Sequence, residues 1–146
     1  MGEIIYKDEG FQIIGACFEV YNHKGFGFTE PVYQECLQHE FTLQGIPFVA
    51  QPELPMTYKG IQLAQKFKPD FICFEKIVVE IKSVAGLTDA HRAQTINYLH
   101  ATAFELGLLV NFGQFPKLIH ERLAYNKRNH SATTYEIIGN REQASE

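Results

Sequence analysis

The spacing of apolar residues changes at residue 46, and this change limits the folds that the chain can adopt. Before that point, residues 8–24 carry apolar side chains at the three- and four-residue intervals of an amphipathic helix. Thr29 is a good N-cap for a second helix, which we expect to end at Gly45. After that point, extended segments punctuated by proline replace the helical pattern. The chain is therefore predicted to begin with two helices and to continue with strands.

Beyond residue 46 the pattern predicts strands with a single further helix among them. This helix begins at Thr88 or Asp89, ends near Phe104, and carries apolar residues along one side. The segments expected to be strands are 56–59, 61–67, 70–74, 77–83, 106–112 and 118–123. The order of elements is therefore α, α, several β, α, β, β, which predicts an α/β fold.

The length and composition of the chain fit one globular domain. Its 146 residues suffice for one domain, and 45% of them are apolar, with twelve Phe and seven Tyr available for a core. We place this domain at residues 1–125. Residues 126–146 form a mostly polar C-terminal extension, in which 135–138 are the candidate edge strand. We expect the last half-dozen residues to be mobile.

Nothing in the sequence predicts a membrane span or an export signal. No apolar run reaches the roughly 18 residues that span a bilayer, and the charged N-terminus lacks the apolar core of a signal peptide. Three cysteines, Cys17, Cys36 and Cys73, form no CxxC pair and lie in apolar contexts, which is typical of buried, reduced thiols. We therefore expect a cytoplasmic protein, and the sequence leaves homo-oligomer formation open.

The net charge limits how the chain can bind nucleic acid. Thirteen Lys and Arg residues against seventeen Asp and Glu residues give a formal charge of −4 at neutral pH. A protein that binds DNA through phosphate contacts alone is usually basic. Any nucleic-acid role must therefore rest on a local patch or on bound cations. Lys66 and Lys68 precede Asp70 with the same strand parity, so they form a candidate strip of positive charge on its face.

One predicted strand carries two charged residues among apolar neighbours. Glu80 and Lys82 project from the same face of segment 77–83, whereas Ile81 points the other way. Asp70 begins the neighbouring strand and brings a second carboxylate alongside Glu80. Two adjacent carboxylates repel each other, and a divalent cation such as Mg²⁺ or Mn²⁺ relieves that repulsion. The alternative is a surface ion pair on an edge strand.

Such a site requires a particular register between the two strands. A two-residue loop would pair Asp70 with Ile81 and turn the carboxylates to opposite faces. The loop must therefore have an odd number of residues, such as 74–76, or contain a bulge. The carboxylates of Asp70 and Glu80 must also lie within about 8 Å of each other, because Mg²⁺–oxygen bonds are only about 2.1 Å long.

The predicted third helix presents polar residues on one face. Gln94 and Tyr98 are four residues apart, and His91 precedes them by about one turn. Because this helix directly follows the strand that carries Glu80 and Lys82, we expect Gln94 and Tyr98 to face the carboxylates. The alternative is that Tyr98 packs on the sheet while Gln94 and His91 meet solvent.

A further group of residues lies where the second helix starts. Gly27, Glu30 and Tyr33 follow one another at intervals of three residues. Taken alone, this group is typical of a helix start, with Glu30 in the first turn complementing the helix dipole.

Together these groups resemble the GxxExxY protein family, a branch of the PD-(D/E)XK nuclease-like superfamily. The resemblance covers about residues 8–124 and includes the apolar segment 107–112. It implies a restriction-endonuclease-like, three-layer α/β/α core with a mixed central sheet and the element order α-β-β-β-α-β. The motifs that carry it are Gly27-x-x-Glu30-x-x-Tyr33, Pro69-Asp70, Glu80-x-Lys82 and His91-x-x-Gln94-x-x-x-Tyr98.

The resemblance also implies a role for each matching residue. The activity would be metal-dependent hydrolysis of phosphodiester bonds in nucleic acid, with DNA favoured over RNA. The metal ligands would be Glu30, Asp70, Glu80 and the carbonyl of Ile81, around Mg²⁺ or Mn²⁺. The catalytic residues would be the same three carboxylates and Lys82, with Gln94, Tyr98, His91 and Lys68 as supporting or substrate-binding residues.

Two other functions are compatible with the sequence. The same fold serves equally as a catalytically inactive module that binds nucleic acid or protein, and the net charge of −4 leaves this open. The chain is alternatively a metal-free structural domain, in which Lys82 pairs with Glu80 and Asp70. Metal-dependent thermal stabilisation separates the nuclease from the structural domain.

Overall fold

The structure of the protein, a computed structural model, describes residues 4–125 and 135–138. These residues form three helices and eight strands. The helices are α1 (Lys7–Lys24), α2 (Glu30–Gln44) and α3 (Asp89–Thr102). The strands are β1 (Phe48–Ala50), β2 (Leu54–Tyr58), β3 (Ile61–Phe67), β4 (Phe71–Cys73), β5 (Ile77–Lys82), β6 (Leu106–Asn111), β7 (Ile119–Tyr125) and β8 (Tyr135–Ile138).

Local sequence sets where the first two helices begin and end. Thr29 is the extended N-cap residue of α2, and Gly45 ends this helix with a φ angle of 73°. The rings of Phe28 and Tyr33 meet edge to face across the start of α2, with centroids 6.2 Å apart. This contact fixes the direction of the entering chain. The predicted bounds of both helices are confirmed to within one residue.

Six strands form one mixed sheet in the order β1-β4-β5-β6-β7-β8. Within this sheet β5 and β6 run parallel, and the other neighbouring pairs run antiparallel. A parallel pair needs a crossover connection, which α3 supplies. The α/β class and the mixed sheet predicted from the sequence are therefore confirmed.

The helices cover both faces of this sheet. On one face, α1 and α2 bury Phe71, Val79 and Leu108 in the main core. On the other face, α3 lies so close to β6 that a Cβ atom on Gly107 would meet Leu99 and overlap the side chain of Thr95. The sheet is thus the middle of three layers, as the sequence predicted.

The three residues 74–76 join β4 to β5, which is the odd loop length that the site requires. Positive φ angles at Phe74 (56°) and Glu75 (61°) turn the chain tightly. The register pairs Phe71 with Val79. Consequently Asp70, which precedes β4, lies opposite Glu80 of β5, on the same face of the sheet.

One strand was not predicted from the sequence. β1 is three residues long and lies between Pro47 and Pro52, and it forms a strand by pairing with β4. β2 and β3 form a separate two-stranded sheet between β1 and β4 in the chain. Strand alternation does not continue from one sheet into another, so the positive strip of Lys66 and Lys68 on the face of Asp70 stays a prediction.

Side-chain contacts fix both the start of α3 and its position on the sheet. Thr88 is the N-cap residue, and its hydroxyl accepts the N–H of His91 at 3.4 Å. Arg92 donates from Nε and Nη2 to the two carboxylate oxygens of Glu121 on β7, at 2.7 and 2.8 Å. This bidentate pair ties α3 to the sheet beside the parallel strands.

No helix among residues 4–125 is long and apolar enough to cross a membrane. The C-terminal half-dozen residues that were expected to be mobile lie outside the described residues.

Candidate active site

Two carboxylates stand side by side where β4 begins. Asp70 immediately precedes β4 and lies opposite Glu80 of β5 in the register of the two strands. The backbone N–H of Asp70 donates to Oε2 of Glu80, and the backbone N–H of Ile81 donates to Oδ2 of Asp70, both at 2.8 Å. Each carboxylate is thus held by the main chain of the opposing strand.

The buried position of these acids disfavours their charged forms. Burial raises the pKa of Glu80 to about 8, and the charge of Asp70 contributes to the rise. Burial raises the pKa of Asp70 as well, and the charge of Glu30 adds to this. The N–H hydrogen bonds and the ammonium of Lys82 act in the opposite direction with smaller effect. The folded protein therefore disfavours the state in which both acids are charged, and a cation would neutralise that charge.

Lys82 extends from the same face as Glu80 and contacts α3. Its Nζ donates to Oε1 of Gln94 at 2.9 Å, and Nε2 of Gln94 donates to the hydroxyl of Tyr98 at 3.3 Å. The ring of Tyr98 stacks on Phe67 of β3, with centroids 5.2 Å apart. The structure therefore places Lys82, Gln94 and Tyr98 in one chain of hydrogen bonds beside the carboxylates.

The hydrogen bond from Gln94 places the hydroxyl of Tyr98 on the side of α3 that meets Lys82. Partial burial raises the pKa of Tyr98, and the charges of Glu80 and Asp70 raise it further. Among the ion pairs of the described residues, none joins Lys82 to Glu80 or Asp70. The metal-free interpretation lacks the contact on which it depends.

Glu30 reaches the site from the first turn of α2. Its Oε2 accepts the backbone N–H of Ser83, the residue after Lys82, at 3.4 Å. The hydroxyl of Ser83 donates to the carbonyl of Phe28. Ser83 thus ties the end of β5 to the segment that precedes α2. The sequence analysis did not identify Ser83, and its position next to Lys82 is the signal that could have done so.

Gly27 and Tyr33 fix the loop that leads into α2. Gly27 has a φ angle of 94°, which favours glycine, and its N–H donates to the carbonyl of Phe112 at 3.4 Å. Tyr33 is fully buried, and its ring stacks on Phe112 with centroids 4.4 Å apart. The hydroxyl of Tyr33 donates to Gly25 at 2.6 Å and accepts the N–H of Phe28 at 3.2 Å. The glycine and tyrosine of the motif therefore position its glutamate.

Asn111 is a buried amide that the sequence analysis did not single out. It ends β6, in register with Lys82, and its Oδ1 accepts the N–H groups of Val84 and Gly113 at 3.0 Å each. Its Nδ2 donates to the carbonyl of Val84 at 2.9 Å. A Cβ atom on Gly113 would lie 2.3 Å from the backbone of Val84, so glycine permits this close approach. As the one polar residue in 106–112, Asn111 was visible in the sequence.

A groove of about 580 Å³ opens beside the acids on the side of α2. Glu30 and Asp70 line it, together with Gln38 and Gln51. Gln34 lines it too, and its Nε2 donates to the backbone carbonyl of Asp70 at 3.2 Å. The groove gives a ligand access to the carboxylates of Glu30 and Asp70, whereas Glu80 and Lys82 are not part of its lining. Gln34 was not predicted from the sequence as a supporting residue.

Of the expected supporting residues, His91 takes part in a helix cap and Lys68 is exposed to solvent. Nδ1 of His91 accepts the backbone N–H of Thr88 at 3.0 Å, as part of the cap of α3. Lys68 is exposed in the connection between β3 and β4. Their roles in binding substrate stay predictions.

The donor set suits a hard divalent cation that keeps part of its water. In residues 4–125 and 135–138, no group of three or more Asp, Glu, His or Cys side chains lies close enough to hold a metal by itself. Mg²⁺ commonly takes one or two carboxylates and completes its shell with water and phosphate oxygens. The buried carboxylate of Glu80 and the half-buried carboxylate of Asp70, which face each other across two adjacent strands, fit such an ion.

A three-layer α/β/α domain with acids on adjacent strands, and a lysine two residues beyond one of them, has the restriction-endonuclease-like fold. A model of the PD-(D/E)XK nuclease superfamily matches residues 7–123, and the chain belongs to that superfamily. Searches of curated proteins and of solved structures gave no match. The assignment to the narrower GxxExxY branch continues to rest on the motifs alone.

Proposed function

We propose that this protein is a divalent-metal-dependent nuclease that hydrolyses phosphodiester bonds, with DNA as its preferred substrate. The observation that carries the proposal is the cross-strand pair of Asp70 and Glu80. Glu80 is buried and Asp70 is half-buried beside it, and the pKa of Glu80 is raised to about 8. Folding a chain around two repelling acids costs stability, and a functional site is the usual reason for such an arrangement.

The two acids and Glu30 would hold the cation, with the carbonyl of Ile81 as a further ligand. When bound, Mg²⁺ or Mn²⁺ supplies a Lewis acid for the phosphoryl oxygen and lowers the pKa of a water molecule. The backbone bonds from the opposing strands keep Asp70 and Glu80 in place, so the ligands need little rearrangement. A bound cation also lets a chain of net charge −4 hold an anionic backbone.

Lys82 would act on the substrate. Its ammonium group is aimed by Gln94, which itself bonds to Tyr98. A preorganised positive charge stabilises the negative charge that develops on the phosphate in the transition state. Lys82 would also orient the attacking water and assist its deprotonation. Gln94 and Tyr98 serve as positioning residues for this lysine.

A specific observation favours the second candidate, a catalytically inactive binding module. One oxygen of each carboxylate already accepts a backbone N–H, and Glu30 accepts the N–H of Ser83. These bonds partly satisfy the acids without a cation. The superfamily fold is compatible with either function, and activity decides between them.

The deciding experiment incubates the protein with single-stranded DNA, double-stranded DNA and RNA, with Mn²⁺ or with EDTA. We expect cleavage by the wild type with Mn²⁺ and none with EDTA. Lys82→Ala should slow cleavage by about 10²–10³, whereas Lys7→Ala, a matched change of an exposed lysine at the start of α1, should cleave like the wild type. Binding without cleavage under all conditions would instead support the binding module.

A further inference from the structure

The aromatic platform is the name used here for three exposed phenylalanines, Phe26, Phe28 and Phe115, of which Phe26 and Phe115 contact each other and Phe28 lies two residues beyond Phe26 in the chain. Their exposed fractions are 50%, 46% and 73%. The rings of Phe26 and Phe115 lie 5.3 Å apart between centroids, with their planes inclined by 36°. The platform therefore joins two loops, one before α2 and one between β6 and β7. Exposed aromatic clusters of this kind mark binding surfaces.

The platform borders the acidic site through backbone contacts. The carbonyl of Phe28 accepts the hydroxyl of Ser83. The N–H of Ser83 in turn donates to Glu30. One residue therefore contacts both the platform and a proposed metal ligand, and a chain lying on the platform would continue into the site.

The loop that carries Phe115 is anchored to the core. The side chain of Asn111 donates to Oε1 of Gln114 at 2.8 Å, and the hydroxyl of Tyr21 donates to the backbone carbonyl of Gln114 at 2.6 Å. The loop that carries Phe26 is tied to the end of β6, because the N–H of Gly27 donates to the carbonyl of Phe112, the residue after this strand. The rings are thus held in position before any ligand arrives, which reduces the entropy lost on binding.

A positive charge lies at the edge of the platform. Nζ of Lys24 is 5.3 Å from the centroid of the Phe28 ring. Flat apolar rings next to an ammonium group match a nucleotide, which has a flat base and an anionic phosphate. The polar groove on the side of α2 lacks this combination, because acids and amides dominate its lining.

We propose that the aromatic platform binds unpaired bases of single-stranded nucleic acid and leads the strand into the acidic site. Bases would stack on Phe26 and Phe115, and Lys24 would contact the backbone phosphate. In a duplex each base face is covered by its neighbours, so a single strand or a frayed end offers the faces that the rings require. The choice of nucleic acid as ligand rests on the proposed function.

The test measures the binding of a fluorescein-labelled 12-nucleotide single strand by fluorescence anisotropy. The Lys82→Ala chain is used with Mn²⁺, so that binding is read without cleavage. Stacking of one base contributes about 1–3 kcal/mol, so Phe115→Ala and Phe26→Ala should each weaken binding at least about fivefold. Phe115→Tyr, which keeps the ring, should bind like the parent chain. A blunt duplex of the same sequence should bind more weakly than the single strand.

Phe11→Ala is the matched control. Phe11 is also an exposed phenylalanine, at 64%, and lies on α1 roughly 20 Å along the helix from Lys24 at 1.5 Å per residue. Its replacement should leave binding unchanged. Circular dichroism melting of all variants checks that these exposed substitutions leave the fold intact.

The outcomes distinguish a failure of the platform proposal from a failure of the nuclease proposal. If the wild type cleaves but the platform variants bind like the control, the platform proposal is overturned and the nuclease stands. If the variants lose binding and the wild type never cleaves, the platform stands and hydrolysis fails. If the parent chain binds no nucleic acid, the platform proposal is overturned. Loss of self-association in Phe115→Ala, with unchanged strand binding, would assign the surface to protein contacts and overturn it as well.

Discussion

Asp70 and Glu80 face each other across β4 and β5, and the backbone N–H of Asp70 donates to the carboxylate of Glu80 at 2.8 Å. The return bond from the N–H of Ile81 to the carboxylate of Asp70 has the same length. Strand pairing therefore holds two acids together whose charges repel. Without a cation, the folded state bears this repulsion, and stability becomes dependent on pH.

The first prediction is that the metal-free protein loses stability as the pH rises. Glu80 has an ordinary pKa of 4.5, which burial raises to about 8 in the folded state. Between these values the unfolded chain has released the proton that the folded chain retains, so the free energy of unfolding falls as the pH rises. Below 4.5 and above 8 this contribution is constant. The raised pKa of Asp70 acts in the same direction.

Urea denaturation in EDTA at pH 5 and pH 8.5 measures this loss, which should be on the order of a few kcal/mol. Glu80→Gln keeps an acceptor for the N–H of Asp70 and should remove most of the pH dependence. Glu53→Gln, a change of an exposed carboxylate, is the control and should retain it. Equal pH dependence in Glu80→Gln and the wild type would show that Glu80 is not the titrating group.

The second prediction is that Gln94 orients Lys82 and does not contact the substrate. Gln94→Ala removes the acceptor at 2.9 Å from Nζ, so the ammonium group should sample more orientations. We expect kcat to fall about tenfold, less than the roughly 10²-fold that a 1 Å misplacement can cost, with KM nearly unchanged. Asn97→Ala, at an exposed position of the same helix, should keep the wild-type kcat. A rise in KM alone would assign Gln94 to substrate binding.

The helices and the longer strands were predictable because local chemistry defines them. Thr29, Gly45 and Thr88 mark helix ends through their own backbone preferences. β6 is nearly apolar, and β5 is apolar apart from Glu80 and Lys82, so both strands were expected to lie in a core. β1 was not predictable in this way, because three residues between prolines carry too little pattern, and their conformation comes from pairing with β4.

The site was only partly predictable, because some of its contacts join residues that are far apart in the sequence. The odd loop at 74–76 could be required from alternation alone, and the structure has it. The contact of Glu30 with Ser83 joins residues 53 positions apart, and no local sequence pattern predicts it. Alternation also cannot place Lys68 relative to Asp70, because β3 belongs to a separate two-stranded sheet, so the position of Lys68 stays a prediction.

The third prediction compares the contributions of the two ion pairs of Arg92 to the stability of the protein. Arg92 is mostly buried and bidentate to Glu121, so Arg92→Ala leaves a carboxylate with an exposed fraction of only 11% without its partner. We expect a loss of about 1–3 kcal/mol of stability, less than the loss for a fully buried pair. Asp89→Ala removes a fully exposed partner of the same arginine and should cost much less, because solvent screens such a pair. Equal losses in urea denaturation would contradict the assignment.

The last prediction is that Lys82 and Glu80 affect the metal in opposite ways. A carboxylate supplies both a ligand oxygen and negative charge, so Glu80→Gln should lose Mn²⁺ affinity and hydrolysis together. An ammonium group beside a dication disfavours metal binding, so Lys82→Ala should bind Mn²⁺ at least as tightly as the wild type. Its hydrolysis should fall by about 10²–10³, the usual effect of removing one preorganised charge. Titration calorimetry with Mn²⁺ and cleavage assays on the same preparations measure both quantities. Wild-type cleavage by Lys82→Ala would refute the nuclease assignment of this site, and unchanged Mn²⁺ affinity in Glu80→Gln would remove the metal from Glu80.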